Sequence, residues 1–114
     1  LETTVGAMGR NPGTLMAWIG PGIGPAVFEV GAAVRDAFRA RDPGCGPCFT
    51  PGRPGHWLAD LGLLAERRLR RAGVHRVQRV AACTYSEPER FFSYRRDGRT
   101  GRMATLIWLQ PGAE

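Results

Sequence analysis

The sequence predicts helices and short strands mixed within one domain, an element order compatible with an α+β fold. Three observations carry this reading. Two stretches repeat their apolar residues at helical spacing. Compact apolar runs lie between turn residues, as short strands do. No internal repeat or sustained heptad is present, and 114 residues of 12.4 kDa leave room for one modest core. Gly and Pro number 16 and 9, so turns and loops take a large share of the chain. That composition excludes a collagen, a coiled coil and, with three Cys, a disulfide scaffold.

Leu1 to Met8 reads as the end of a helix stopped by Gly9. Asn11-Pro12-Gly13 is a turn, and Leu15 to Ile19 a buried strand. Gly20-Pro21-Gly22-Ile23-Gly24-Pro25 is a rigid loop. Phe28, Gly31, Val34 and Phe38 then recur on one helical face. Residues 43–55 contain four Pro and four Gly, which predicts a surface loop without a regular element. A second helix is predicted from Leu58 to Ala72, with Leu61, Ala65 and Leu69 on its apolar arc and Arg67, Arg70 and Arg71 opposite; Gly73 ends it. Arg76 to Cys83 is a strand. Ser86-Glu87-Pro88-Glu89 has the capping-box pattern, predicting a short helix over Glu87–Arg96 that Asp97-Gly98 terminates. Met103 to Leu109 is apolar on both alternating faces, as in a strand covered on both sides.

All 16 basic residues are Arg, and the net charge is +6. The arginines are spread along the chain and several neighbour acids, which argues against a nucleic-acid interface. Pro12, Pro21 and Pro25 break the longest uncharged stretch, so no membrane span is expected, and Leu1-Glu2-Thr3-Thr4 is no signal peptide. Nothing calls for an oxidising compartment, and the expected location is cytoplasmic.

The glycine-rich loop can be read as an anion cradle or as a tight strand-to-helix turn. Cys45-x-x-Cys48 with His56 nearby has metal-ligand spacing, but one such pair is half a zinc site. His75 has no obvious partner, and Cys83, at a strand end, can be read as a nucleophile or, by preference, as a buried structural thiol. Tyr94, Arg95 and Arg96 form the most suggestive cluster: an arginine pair on a short capped helix can clamp an oxyanion such as phosphate, or can simply make surface ion pairs. No catalytic residue is assigned.

Three stretches together resemble one family. They are Ala17-Trp18-Ile19-Gly20-Pro21-Gly22-Ile23-Gly24-Pro25 running into Phe28-Glu29-Val30-Gly31, then Cys83-Thr84-Tyr85, then Phe91-Phe92-Ser93-Tyr94-Arg95-Arg96-Asp97-Gly98 with Thr100-Gly101-Arg102-Met103-Ala104 and Ile107-Trp108-Leu109. In this order they look like the C-terminal half of the YfiH-like polyphenol oxidase, or laccase-domain, family. The resemblance implies an α+β fold of mixed sheets packed with helices. For a complete member it implies a purine nucleoside phosphorylase, converting inosine or adenosine and phosphate to base and ribose 1-phosphate. Adenosine deaminase and methylthioadenosine phosphorylase side activities are attributed to the same site. It also implies zinc, or copper in the older reading, held by His, Cys and His in EQVHG, ADC and HAGWRG strings. None of those strings occurs here, so no metal ligand is carried onto this chain. Such a half is expected to be inactive alone and prone to self-association through unpaired sheet edges. The alternatives are a non-catalytic interaction module and a small Arg-rich nucleic-acid binder.

Overall fold

A computed structural model describes residues 1–108 and 111. It is a mixed α+β structure with two small sheets. Helix α1 spans Glu2–Ala7, and Gly9, at φ +64°, turns the chain out of it. The Asn11 side chain accepts the Gly13 N–H at 2.9 Å and opens a 3-10 turn over Pro12–Thr14. Strand β1 (Met16–Ile19) follows, and β2 (Glu29–Gly31) leads directly into α2 (Ala32–Arg41). A 3-10 helix over Pro43–Cys48 precedes β3 (Phe49–Pro51) and β4 (His56–Ala59), and then α3 (Leu61–Arg71), β5 (Arg76–Arg79) and α4 (Tyr94–Asp97) complete the order.

Strands β1 and β5 pair in parallel, Met16 opposite Arg76 and Ile19 opposite Arg79. The other sheet is antiparallel in the order β2-β4-β3, with Val30 opposite Trp57 and Thr50 opposite Leu58. A core cluster lies under each sheet. Val30, Cys45, Cys48, Phe49, Ala59 and Leu64 are buried together beneath the antiparallel sheet, with Phe28, Phe38, Trp57 and Leu63 packed around them. Val5, Leu69 and Val74 form the cluster beneath β1 and β5, flanked by Leu15, Ala17, Ile19 and Val77. Helix α3 contributes to both, through Leu64 and Leu69.

Several elements differ from expectation, each for a local reason. Helix α2 begins at Ala32 rather than at Phe28, because Glu29–Gly31 pair with β4 and the Phe28 carbonyl accepts the Ala59 N–H at 2.9 Å. Leu58 likewise belongs to β4; Asp60 accepts the Leu63 N–H at 3.0 Å and starts α3 three residues later. Residues 43–55 are not a plain surface loop. Their first half is a 3-10 helix that buries Cys45 and Cys48, capped by Asp42 through the Gly44 N–H at 3.1 Å, and a strand follows. Glu87–Arg90 make isolated turns instead of a helix, because the Glu87 carboxylate reaches back to the Cys83 N–H at 2.9 Å. The helix forms later, over Tyr94–Asp97, where Ser93 accepts the Arg96 N–H at 3.3 Å. Strand β1 alternates between exposed and half-buried residues, with Trp18 51% exposed. Of Met103 to Leu109, the residues through Met103–Trp108 form no strand and Ile107 is 93% exposed; Leu109 lies outside the described residues. A two-faced apolar strand needs cover on both faces, and Met103–Trp108 are all exposed.

Candidate functional site

The glycine-rich loop joins β1 to β2, not to a helix, so no helix N-terminus backs it as an anion cradle. It curls instead against the segment that leaves β5. Gly22 and Cys83 form a parallel bridge that continues the β1–β5 pairing, with the Thr84 N–H on the Gly22 carbonyl at 2.9 Å. The Gly24 N–H donates to Cys83 Sγ at 3.1 Å. A Cβ on Gly24 would stand 3.1 Å from Cys83 Cβ and 3.2 Å from its sulfur, so the approach depends on glycine.

This contact forms one wall of an open cleft of about 930 Å³. The loop, the segment Val80–Cys83 and the first turn of α3 line it, and Asp60, Arg79, Cys83 and Glu87 bring polar groups. Arg79 lies 3.8 Å from Asp60 and 3.4 Å from Glu66, so its charge is shared between two carboxylates. Burial opposes charge on the Cys83 thiol, but hydrogen bonds from the Ser86 side chain and from the Gly24, Ser86 and Tyr85 backbone outweigh it and hold the thiol below its ordinary value. The Cys83 N–H and then Arg90 stabilise the Glu87 carboxylate, lowering its pKa. Cys83 therefore stands in a thiolate-favouring setting at the cleft wall, a feature that a strand-end cysteine with no acidic or basic sequence neighbour did not signal.

The cluster Tyr94, Arg95 and Arg96 lies on α4, and its members divide. The Arg96 guanidinium donates to the carbonyls of Thr84 at 2.9 Å, Tyr85 at 3.1 Å and Phe91 at 3.0 Å, and to the Asp97 carboxylate at 2.8 Å. All its nitrogens are engaged, and it ties α4 to the turn after Cys83. Arg95 instead lies 5.1 Å above the Phe28 ring, at the far end of the glycine-rich loop. Tyr94 is 76% exposed beside it. The three stretches on which the family resemblance rests thus converge. Gly24 contacts Cys83, Arg96 grips Thr84 and Tyr85, and Arg95 covers Phe28.

The remaining candidate ligands do not gather. His56 faces Glu29 at 3.6 Å and Arg53 at 3.4 Å, away from the buried Cys45 and Cys48, and His75 lies beside β5. Among the described residues no three His, Cys, Asp or Glu side chains are placed to hold a metal ion.

The model of the multi-copper polyphenol oxidoreductase laccase family matches residues 1–110. The chain belongs to this family. It is 50% identical over 111 residues to a purine nucleoside phosphorylase of Xylella fastidiosa, covering 96% of this chain and 43% of that protein. It is 49% identical over 109 residues to the purine nucleoside phosphorylase YfiH of Escherichia coli, again covering 96% of this chain and 44% of the relative. Among solved structures, Neisseria meningitidis protein NMB0706 superimposes with a TM-score of 0.82 at 43% identity, over 85% of this chain and 40% of that one. The YfiH protein of Bacillus licheniformis does so with 0.78 at 28% identity, over 85% and 39%. The family and the α+β fold expected from the three sequence stretches are both met. The chain spans less than half the length of the curated relatives it matches.

Proposed function

We propose that this chain is the C-terminal part of a purine nucleoside phosphorylase, which takes inosine or adenosine and phosphate to free base and ribose 1-phosphate. Its resemblance, at about half of all positions, to relatives named for that activity carries the reading. Phosphorolysis needs a held phosphate, stabilisation of an electron-poor sugar and help for the departing base. Under this reading the present chain contributes one part of this. Arg95 presents its guanidinium at the end of the glycine-rich loop, and Tyr94 stands exposed beside it, a pair suited to an oxyanion. Arg96 serves the same site indirectly, by holding α4 against the Cys83–Tyr85 turn. The adenosine deaminase and methylthioadenosine side reactions fall to the same site under this reading.

Zinc, or copper, would be held by residues outside this chain. Cys45 and Cys48 are sealed in an apolar cluster and His56 is turned to Glu29, so the donors present do not fit a metal centre. The chain alone is then inactive, and Leu106, Ile107 and Trp108, exposed at 79, 93 and 75%, give it a surface for self-association.

The test is phosphorolysis of inosine by the complete protein, followed by chromatography of the released base. Arg95→Ala should raise the KM for phosphate about tenfold, as expected for a charge-assisted hydrogen bond. An unchanged phosphate KM would remove Arg95 from the site. Absence of phosphate-dependent base release from the complete protein would overturn the phosphorylase reading itself.

A further inference from the structure

Cys45-Gly46-Pro47-Cys48 takes no part in the site described, yet it is one of the most deeply buried features of the fold. Both side chains are 1% exposed, and both are free thiols. They lie within one 3-10 helix, Pro43–Cys48. That helix has about three residues per turn and rises about 2 Å per residue, so positions three apart eclipse. An ideal turn of this kind stacks positions three apart about 6 Å from one another on one face, so closing a disulfide here must draw the two Cβ atoms together to about 4 Å. Pro43 and Pro47 fix the backbone of this turn, and Asp42 caps it.

A fixed positive charge lies over the pair. The Arg67 guanidinium is held by Asp42 at 2.7 and 2.9 Å. It lies across Gly44, where a Cβ would stand 2.6 Å from its Nη2, so a larger residue there would displace the guanidinium. Burial in the apolar cluster pushes the Cys48 thiol up, and the nearby Arg67 charge offsets only part of that rise. Both cysteines share a buried cluster with Val30, Phe49, Ala59 and Leu64, which excludes bulky reagents.

We propose that Cys45 and Cys48 are a redox-active dithiol that a small peroxide closes to an intramolecular disulfide. Dithiol–disulfide couples commonly use this Cys-x-x-Cys spacing, and the enclosed position selects a compact oxidant over a protein disulfide. One sulfur attacks hydrogen peroxide; the O–O bond breaks, giving a sulfenic acid and water. The second thiol then attacks that sulfur, the S–O bond breaks and a second water leaves. Two thiols and one peroxide thus yield one disulfide and two waters, and an external thiol reductant reverses the change.

Arg41 and Arg67 bound a tryptic peptide, Asp42–Arg67, that carries both cysteines and excludes Cys83. The full-length protein is treated with hydrogen peroxide under native conditions, unfolded, alkylated, digested and weighed. The peptide should lose two hydrogens, escape alkylation and regain both thiols with dithiothreitol. In Cys45→Ser that loss should vanish. Full alkylation of Cys45 and Cys48 at peroxide concentrations that oxidise Cys83 would overturn the proposal. Separate oxidation of the two sulfurs to sulfinic acids, or a disulfide from either to another cysteine, would overturn it equally.

Discussion

At Arg96 a side chain that reads as a ligand clamp spends itself on the protein. Its guanidinium satisfies three carbonyls and an aspartate, whereas Arg95, one position away, rests on an aromatic face. The two should separate experimentally. Arg96→Ala leaves the Thr84, Tyr85 and Phe91 carbonyls without these partners and should lower the unfolding midpoint, while Arg95→Ala should move phosphate affinity with little change in that midpoint; urea titration beside phosphate kinetics resolves them. Sequence cannot make this distinction, because neighbouring arginines look alike until the backbone turns one inward. Gly73 offers a second test at this scale. It sits at φ +95°, and a Cβ there would stand 3.0 Å from Pro12 Cβ. Gly73→Ala should cost roughly 1–3 kcal/mol by the same titration.

Among the elements, those announced by strong local chemistry were legible. Gly9, Gly73 and Gly98 all adopt positive φ where helix ends were expected, and the Asn11 turn forms as read. The elements that were missed are three- and four-residue strands. Glu29–Gly31 and His56–Ala59 are too short to show an alternation, and their apolar residues happen to continue the helical spacing of α2 and α3. Pairing with a distant strand decides such segments, and pairing is not a local property. The Pro43–Cys48 turn was hidden for the opposite reason: Gly and Pro suggested exposure, while its two thiols supply core. The candidate site was legible as three separate stretches, but the contacts that join them, Gly24 to Cys83 and Arg96 to Thr84, were not. Helix α3 holds the two clusters together. Leu64→Ala should therefore destabilise by about 2–4 kcal/mol, measured by thermal or chemical denaturation, since Leu64 is 4% exposed among large neighbours.

The whole molecule measures 52 × 36 × 20 Å with a radius of gyration of 16.0 Å, flatter than the about 13 Å of a compact domain of this size. Its stability should fall on the acid side. Arg67 holds Asp42, and Arg96 holds Asp97, below the ordinary carboxylate range, and the Cys83 N–H does the same for Glu87. A carboxylate with a depressed folded pKa contributes stability above its unfolded pKa. That contribution disappears as pH falls through the ordinary range and on past the folded value. Unfolding midpoints should decline below about pH 4, and Asp42→Asn should flatten part of that decline. Serine at Leu106, Ile107 and Trp108 should shift the isolated chain toward monomer in sedimentation experiments. The presence of two clusters rather than one core has a consequence in time. Amides of β1 and β5 answer to the Val5–Leu69–Val74 group, and those of β2 and β4 to the Val30–Phe49–Leu64 group. Deuterium should therefore enter the chain in two waves, and α3 should be the stretch whose protection outlasts whichever half opens first.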